Sequence, residues 1–329
     1  MENLDKNLIK AKKDIREIKM TSDEKAHIFE SILNAPTESK ISIQSPYNFF
    51  SFVSSFSKNR LVYSVSMGCL VIFISTGAVV ASGNSLPGNI LYPLKVRVVE
   101  PARGAFISSP VAKIEYESSL ATKRIIEAEA LAYEDKLDES KEEQLNSLLE
   151  SHTTAFSIAV NKFRQSESFD QSIDEDVSTN FEATMNAHAR VLEVINEDKN
   201  TGKENKRNIK ISKTARDSAI KIRNTKDDNE YTEDERDQAP EKYKKRIDDI
   251  QSIIDKTTTD IDKNRDEISS SKKKIISDAH KTLEDARKLL KESDEDDKRG
   301  DSKNSRSKLL DSERSAREAS IFLRAGLEL

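Results

Sequence analysis

The chain has 329 residues, of which 34% are charged and 35% hydrophobic, and its net charge of -5 comes from opposite charges interleaved along the sequence. This pattern is typical of solvated helix faces and gives no reason to expect nucleic acid as a partner. Glycine (8 residues) and proline (7 residues) are rare, which favours long helices over sheets. The single cysteine, Cys69, excludes an intramolecular disulfide.

The N-terminal part is predicted to be a short helical arm, residues 1–33, followed by an irregular linker, residues 34–58. Apolar residues recur at helical spacing in the arm, and Pro36, Pro46 and many serines mark the linker. An arm of this size cannot bury a substantial core alone. We therefore expect either a spacer on the membrane surface or a docking element for a cytoplasmic partner.

The stretch 61–81 contains no charged residue, and we predict a transmembrane helix over 59–82. At about 1.5 Å per residue this stretch crosses a hydrocarbon layer of roughly 30 Å. Lys58 and Arg60 precede it and the next basic residue is Lys95, which predicts a cytoplasmic N-terminus and an extracytoplasmic C-terminal region. Two alternatives are a signal peptide cleaved near Ala81 and a buried core helix. The residues that precede the stretch disfavour the first, and its uncharged length disfavours the second.

Beyond this stretch, residues 85–95 read SLPGNILYPLK. The distinctive positions of this motif are Leu86, Pro87, Gly88, Leu91, Tyr92, Pro93 and Lys95. Pro87 and Gly88 predict a turn, and Pro93 suits the first turn of a helix. We expect Leu91 and Tyr92 to rest at the membrane interface, and Lys95 and Arg97 to meet lipid headgroups.

With this motif, and with the segments 103–105, 109–113 and 124–132, the chain resembles a family of uncharacterised bacterial membrane proteins, common in candidate-phylum bacteria. These proteins carry a helical domain of unknown function, with an LPG-x-x-LYP-x-K motif after the membrane helix. The resemblance covers residues 85–163 and implies a single-pass protein with an outward helical domain, without an established activity. The chain departs from the family pattern at Pro101, which predicts a kink or a break in the first helix.

Independently of that resemblance, residues 83–198 are predicted to form an antiparallel helical bundle. Ser109 and Asp138 suit helix caps, and a third helix is expected to begin at Asp174. Each helix carries an apolar stripe at helical spacing. Residues 199–239 are predicted to be a charged connector, whose few apolar residues allow one weak helix.

Residues 240–329 are predicted to form a hairpin of one long helix and a last helix, with a turn near Gly300. Isoleucine recurs every seven residues at positions 247, 254, 261, 268 and 275. The partner position of the heptad is polar after Ile250, so the apolar stripe is narrow. The 247–275 helix is therefore expected to pack on a neighbour or to self-associate.

No stretch of the sequence carries a recognisable reaction centre, so we expect neither an enzyme nor a cofactor. His152 and His188 lie on apolar helix faces and could meet as a metal-binding or proton-sensing pair. The favoured interpretation is two separate, partly buried histidines that are satisfied by nearby carboxylates or carbonyls.

The expected fold class is all-α, with one transmembrane helix, an extracytoplasmic antiparallel helical bundle and a C-terminal helical hairpin. The expected function is a structural or protein-interaction role at the cell envelope, with the lipid bilayer and another protein as partners. The alternative is a transmembrane regulator that resembles an anti-sigma factor, in which the outer domain senses and residues 1–33 bind a cytoplasmic factor.

Overall fold

The computed structural model describes residues 83–199, 209–227, 240–266 and 269–328. The predicted arm (1–33), linker (34–58) and transmembrane segment (59–82) lie outside these ranges, as do residues 200–208 and 228–239 of the predicted connector. Within the described ranges, no helix has the length and apolar character needed to cross a membrane. Regular structure there is entirely helical, which confirms the all-α prediction for this part of the chain.

We label the helices in chain order. Helix α1 has three consecutive segments, which are the α-helical Tyr92–Leu94, the π-helical Lys95–Val99 and the α-helical Glu100–Ala105. The longer helices are α2 (Pro110–Tyr133), α3 (Glu139–Arg164), α4 (Gln171–Lys199), α5 (Lys210–Asp227), α6 (Pro240–Lys263), α7 (Ser270–Lys298) and α8 (Ser302–Leu327).

The starts of α2, α3 and α4 are set by side-chain caps. The Ser109 side chain accepts a hydrogen bond from the Ala112 N–H, and the Asp138 side chain accepts one from the Lys141 N–H, as predicted. The third start differs from the prediction, because α4 begins at Gln171 and not at Asp174. Asp170 Oδ1 accepts hydrogen bonds from the next N–H groups along the chain and so takes the capping role.

The first core lies between α2, α3, α4 and α5. Helices α4 and α5 run antiparallel, since Glu193 contacts Ser212 near one end of the pair and Glu182 contacts Arg223 near the other. At the centre, the Phe156 ring stacks on the Phe181 ring with 4.2 Å between centroids. The same core buries Ile114, Ile125, Leu131, Leu145, Leu149, Val160, Phe163, Met185 and Leu192.

Helix α5 lies inside the segment 199–239, which the sequence predicted to be a charged connector. Four of its apolar residues, Ile211, Ala215, Ala219 and Ile222, are buried in the first core, whereas Ile220 is exposed. The four buried positions recur every three or four residues, so they form one continuous stripe in spite of the surrounding charge. Burial of that stripe explains why this segment packs as a helix, and the first bundle therefore continues beyond residue 198.

The second core lies between α4, α6, α7 and α8. It buries apolar residues of α4 that alternate with those in the first core, such as Ala187, Val191 and Val194 beside Met185 and Leu192. Helix α4 is therefore buried on two faces, as expected for a helix at the centre of a packed body and not at its surface.

The prediction of one continuous helix over 247–275 is wrong. Helix α6 ends at Lys263, a turn follows from Asn264 to Asp266, and α7 begins at Ser270. Asparagine and aspartate are poor helix formers because their side chains compete for backbone hydrogen bonds, and this accounts for a break here.

The break changes the predicted C-terminal hairpin into a three-helix unit. Ile254 and Ile261 of α6 and Ile275 of α7 are buried in the second core of this chain. Helices α7 and α8 form a hairpin, and they turn at Gly300, whose φ is +80°. Glycine adopts a positive φ of this kind without a steric penalty from a Cβ atom, which agrees with the predicted turn.

Candidate functional site

The motif at 85–95 begins with a tight turn. The Asn89 N–H donates to the Leu86 carbonyl at 3.0 Å, with Pro87 and Gly88 as the two central residues. Gly88 has a φ of +95°, which is the conformation that the third residue of a type II turn requires. The turn predicted from Pro87 and Gly88 is therefore present, and it leads directly into α1.

Two motif side chains of helix α1, those of Tyr92 and Lys95, are buried. Pro93 stands in its first turn, where the missing N–H is not needed. In the π-helical turn that follows, the Glu100 N–H donates to the Lys95 carbonyl. This wider turn directly precedes Pro101, which has no N–H to donate, so the disruption predicted at Pro101 takes the form of a π-helical turn.

Tyr92 and Lys95 meet a single carboxylate on α2, that of Glu127. The Tyr92 hydroxyl donates to Glu127 Oε2 at 2.8 Å, and Lys95 Nζ donates to Glu127 Oε1 at 2.5 Å. Lys95 Nζ also donates to the Ser85 carbonyl at 3.0 Å, which ties the start of the motif to α1. Lys95 and Glu127 are each 5% exposed and Tyr92 is 1% exposed, so this contact is a buried one.

A second cation, Arg124, completes the cluster and is fully buried. Its Nη1 donates to the Tyr92 hydroxyl at 2.8 Å and to Glu127 Oε2 at 2.9 Å, and its Nη2 pairs with Glu100 Oε1 of α1. Two cations thus face two carboxylates, so the buried charges balance. We call these five residues the α1–α2 ionic cluster: Tyr92, Lys95, Glu100, Arg124 and Glu127.

Burial of the cluster corrects the predicted interfacial roles of Tyr92 and Lys95. Their polar atoms point at α2 instead of lipid headgroups, because Glu127 and Arg124 supply stronger partners inside the fold. Burial also raises the pKa of the Tyr92 hydroxyl well above its ordinary value, although the Arg124 charge opposes this shift. The tyrosine therefore acts as a neutral hydrogen-bonding group, and Leu91 and Arg97 remain exposed.

The same stretch of chain has a counterpart among known families. Residues 84–214 match the Domain of unknown function (DUF5667). This finding confirms the prediction of a domain of unknown function in this part of the chain. The matched domain begins just before the Pro87-Gly88 turn, contains the whole α1–α2 ionic cluster, and ends within α5. No curated protein matches the sequence, and neither does any solved structure.

The two candidate histidines contact different carboxylates. His152 Nδ1 lies 3.0 Å from Glu117 Oε2, and His188 Nδ1 lies 2.9 Å from Glu129 Oε1. Burial would raise the pKa of Glu117, but hydrogen bonds from His152 and from Lys113 outweigh it and lower that pKa. Each imidazole thus has its own carboxylate partner within the matched domain.

The His188–Glu129 pair joins α4 to α2 in the interior of the bundle. Both side chains are buried, at 6% and 5% exposure. Burial raises the pKa of the Glu129 carboxyl, and the hydrogen bond from His188 opposes that rise. In the parts of the chain that the structure describes, no group of three or more His, Cys, Asp or Glu residues is arranged to hold a metal ion.

A second ionic network, which the sequence analysis missed, joins the matched domain to the C-terminal helices. Glu175 of α4 is 2% exposed and accepts from Arg306 of α8 at 2.6 Å and from Arg246 of α6. Burial alone would raise the pKa of Glu175, but the two guanidinium groups lower it. Further along, Arg317 of α8 pairs with Asp176 of α4 at 2.6 Å.

This α4–α8 network could have been suspected only from the spacing of arginines on α8. Arg314 follows Arg306 by eight residues and Arg317 follows Arg314 by three, which places them along one side of a helix. Their carboxylate partners lie more than 120 residues earlier in the sequence, so no local pattern connects the two sides.

Proposed function

We propose that this protein is anchored in a membrane by residues 61–81 and holds a helical body that binds another protein, or a polymer of the cell envelope, on the extracytoplasmic side. The uncharged stretch supports the anchor. The observation that carries the proposed structural role is the α1–α2 ionic cluster. It fastens the segment that directly follows the proposed anchor onto the body of the protein.

Attachment of this segment to the helical body would restrict how that body rotates at the membrane. Only ten residues separate Ala81 from Tyr92, which is the first cluster residue. A flexible tether would let the body rotate freely at the membrane, whereas a short segment fixed by buried ion pairs restricts that rotation. A restricted body presents the same faces to the same neighbours, which suits a scaffold or an interaction module more than a diffusing enzyme.

The polar groups of the described ranges support the same proposal. The buried carboxylates and cations are paired with one another across helix boundaries, as in Lys95–Glu127 and Glu175–Arg306. Such pairs fix which helix faces meet. We therefore place the protein in the structural or protein-interaction class.

Topology is the part of this proposal that one experiment tests directly. Reporter fusions after Ser57 and after Leu329 report which side of the membrane each end occupies. We expect a reporter that is active only outside the cytoplasm to be silent after Ser57 and active after Leu329. An active cytoplasmic reporter after Leu329 would overturn the proposed orientation.

A further inference from the structure

We infer that Arg103 of α1 and Lys123 of α2 together bind a phosphate group at the surface where the two helices meet. We call these two residues the α1–α2 phosphate site. Both lie within the matched domain, next to the α1–α2 ionic cluster but not part of it. The inference goes beyond the proposed function, since it does not depend on the membrane anchor.

Contacts of Glu100 with α2 bring Arg103 and Lys123 to the same side of the helix pair. The Glu100 carbonyl accepts from the Tyr116 hydroxyl at 2.5 Å, and the Glu100 carboxylate pairs with Arg124. Arg103 follows Glu100 by three residues, so both lie on one side of α1. Lys123 follows Tyr116 by seven residues, so both lie on one side of α2. Long side chains from the two helices can therefore reach one ligand between them.

Gly104, the residue after Arg103, lies in close contact with α2. A Cβ atom at Gly104 would lie 3.0 Å from Tyr116 Cε1 and 3.3 Å from Lys113 Nζ. Lys113 has a carboxylate partner of its own, because its Nζ lies 2.8 Å from Glu117 Oε1. The backbone beside Arg103 is therefore held against α2, while the Arg103 side chain is exposed.

Arg103 and Lys123 carry positive charge that no carboxylate in their surroundings neutralises. In the α1–α2 ionic cluster, Lys95 and Arg124 already balance the two carboxylates. Arg103 and Lys123 are both exposed, and neither forms an ion pair with a described residue. Arginine offers two parallel donors to a phosphate group, and lysine adds a point charge. The pair therefore suits a phosphate group as its counter-ion.

The electrostatic environment of the Lys123 amine favours the same ligand. Partial burial lowers the pKa of Lys123, and the negative charge of Glu100 opposes that shift. The positive charges of Lys95, Arg103 and Arg124 lower the pKa further. Arg103 and Lys123 thus repel each other across the contact of α1 with α2. A bound anion would offset this repulsion and favour the charged form of the amine.

Competitive lysine labelling tests the site on the full chain, in a detergent that contains no phosphate. Limiting acetic anhydride modifies the amines, and mass spectrometry gives the extent of labelling at each lysine. Inorganic phosphate is compared with sodium chloride at equal ionic strength. Phosphate should slow the labelling of Lys123 about threefold, because a bound anion covers the amine and favours its protonated form. Lys213, an exposed lysine of α5, is the matched control and should not change.

A second series with a soluble phosphodiester, glycerophosphoglycerol, distinguishes the sources of the phosphate group. Protection of Lys123 by the diester would show that the site accepts an esterified phosphate, such as a lipid headgroup or a polymer carries. Protection by inorganic phosphate alone would assign free phosphate as the ligand.

Replacement of Arg103 separates specific binding from a general salt effect. In Arg103→Gln, phosphate should no longer slow the labelling of Lys123 relative to chloride. Arg97→Gln is the matched control, since Arg97 is also exposed on α1 and lies two residues after the buried Lys95, on the outer side of the helix. This variant should keep the protection. Circular dichroism should show the same helical content in both variants and in the native chain.

Three results would overturn the inference. The first is equal slowing at Lys123 and Lys213, which would be a general effect of phosphate on the reagent. The second is protection that persists in Arg103→Gln while its helical content is native. The third is the absence of protection at Lys123 with both probes.

Discussion

Lys95 and Glu127 lie 32 residues apart in the sequence and form a buried ion pair, with 2.5 Å between Nζ and Oε1. The pair joins the helix that follows the proposed membrane segment to the long helix α2. Glu127 also accepts from Tyr92 and Arg124, so one carboxylate holds three donors together. Removal of Glu127 therefore leaves more buried polar groups without this partner than removal of Lys95 does.

Replacement of Glu127 by leucine should lower the free energy of unfolding by about 3–5 kcal/mol, because Lys95 and Arg124 would remain buried with Glu100 as their one carboxylate. Lys95→Met should be less damaging, since Glu127 keeps Arg124 and Tyr92 as partners. Urea denaturation of the detergent-solubilised chain, followed by circular dichroism, measures both effects.

A surface pair on α7 provides the control for that comparison. Glu284 and Arg287 are 2.8 Å apart and both are at least one-third exposed. Glu284→Gln should change the free energy of unfolding by less than about 1 kcal/mol. Equal effects of Glu127→Leu and Glu284→Gln would show that the α1–α2 ionic cluster contributes no more than an exposed pair.

Acid should weaken the attachment of the C-terminal helices through Glu175. The pKa of its carboxyl is held below the ordinary value of 4.5 by Arg306 and Arg246. A carboxyl whose pKa is lowered by folding stabilises the protein above that ordinary value, and the stabilisation is lost as the pH falls toward the folded-state pKa. Unfolding of the native chain and of Glu175→Gln should therefore differ by about 3 kcal/mol at pH 7, and this difference should shrink as the pH falls below 4.5 toward the folded-state pKa. A difference that does not change with pH would contradict this assignment.

Glu129 should show the opposite dependence. Burial raises the pKa of its carboxyl, so its ionised form destabilises the fold and needs the hydrogen bond from His188. His188→Leu should lower the free energy of unfolding by about 1–3 kcal/mol at pH 7.5. The loss should become smaller as the pH is lowered, because protonated Glu129 no longer carries a buried charge. A loss that grows on acidification would show that His188 does not stabilise the protein through its hydrogen bond to ionised Glu129.

Gly326 allows α8 to approach α7 closely. A Cβ atom at this position would lie 2.6 Å from Ile275 Cδ1 and 2.8 Å from Ile275 Cγ2. Gly326→Ala should therefore destabilise the protein by about 1–3 kcal/mol, even though alanine is the better helix former. The double variant Gly326→Ala with Ile275→Ala should be more stable than the sum of the two single effects predicts. Strict additivity of the two changes in unfolding free energy would mean that a side chain at position 326 does not clash with Ile275.

Several elements were predictable because their signals are local. Ser109 and Asp138 mark the starts of α2 and α3, and Pro87 and Gly88 mark the turn before α1. Each signal acts through hydrogen bonds or backbone angles within four residues, so the sequence alone contains the information. The start of α4 was misplaced because Asp170 and Asp174 both suit a cap, and sequence spacing does not choose between them.

The contacts of the motif residues Tyr92 and Lys95 were not predictable, because their partners lie far away in the sequence. A lysine and a tyrosine after an apolar stretch match the pattern of an interfacial anchor, and only the folded chain shows that Glu127 and Arg124 take them as partners. Likewise, the heptad isoleucines are compatible with one long helix, and the break after Lys263 becomes favourable because Ile254 and Ile275 both reach the second core. Contacts between residues that are distant in the sequence decided both outcomes.

Fractionation of cells that express the intact chain tests the membrane anchor most directly. After lysis without detergent and a wash at alkaline pH, the protein should remain in the pellet after ultracentrifugation and dissolve only when detergent is added, because an uncharged stretch of 21 residues prefers hydrocarbon to water. Recovery of full-length protein in the supernatant before detergent is added would contradict the account.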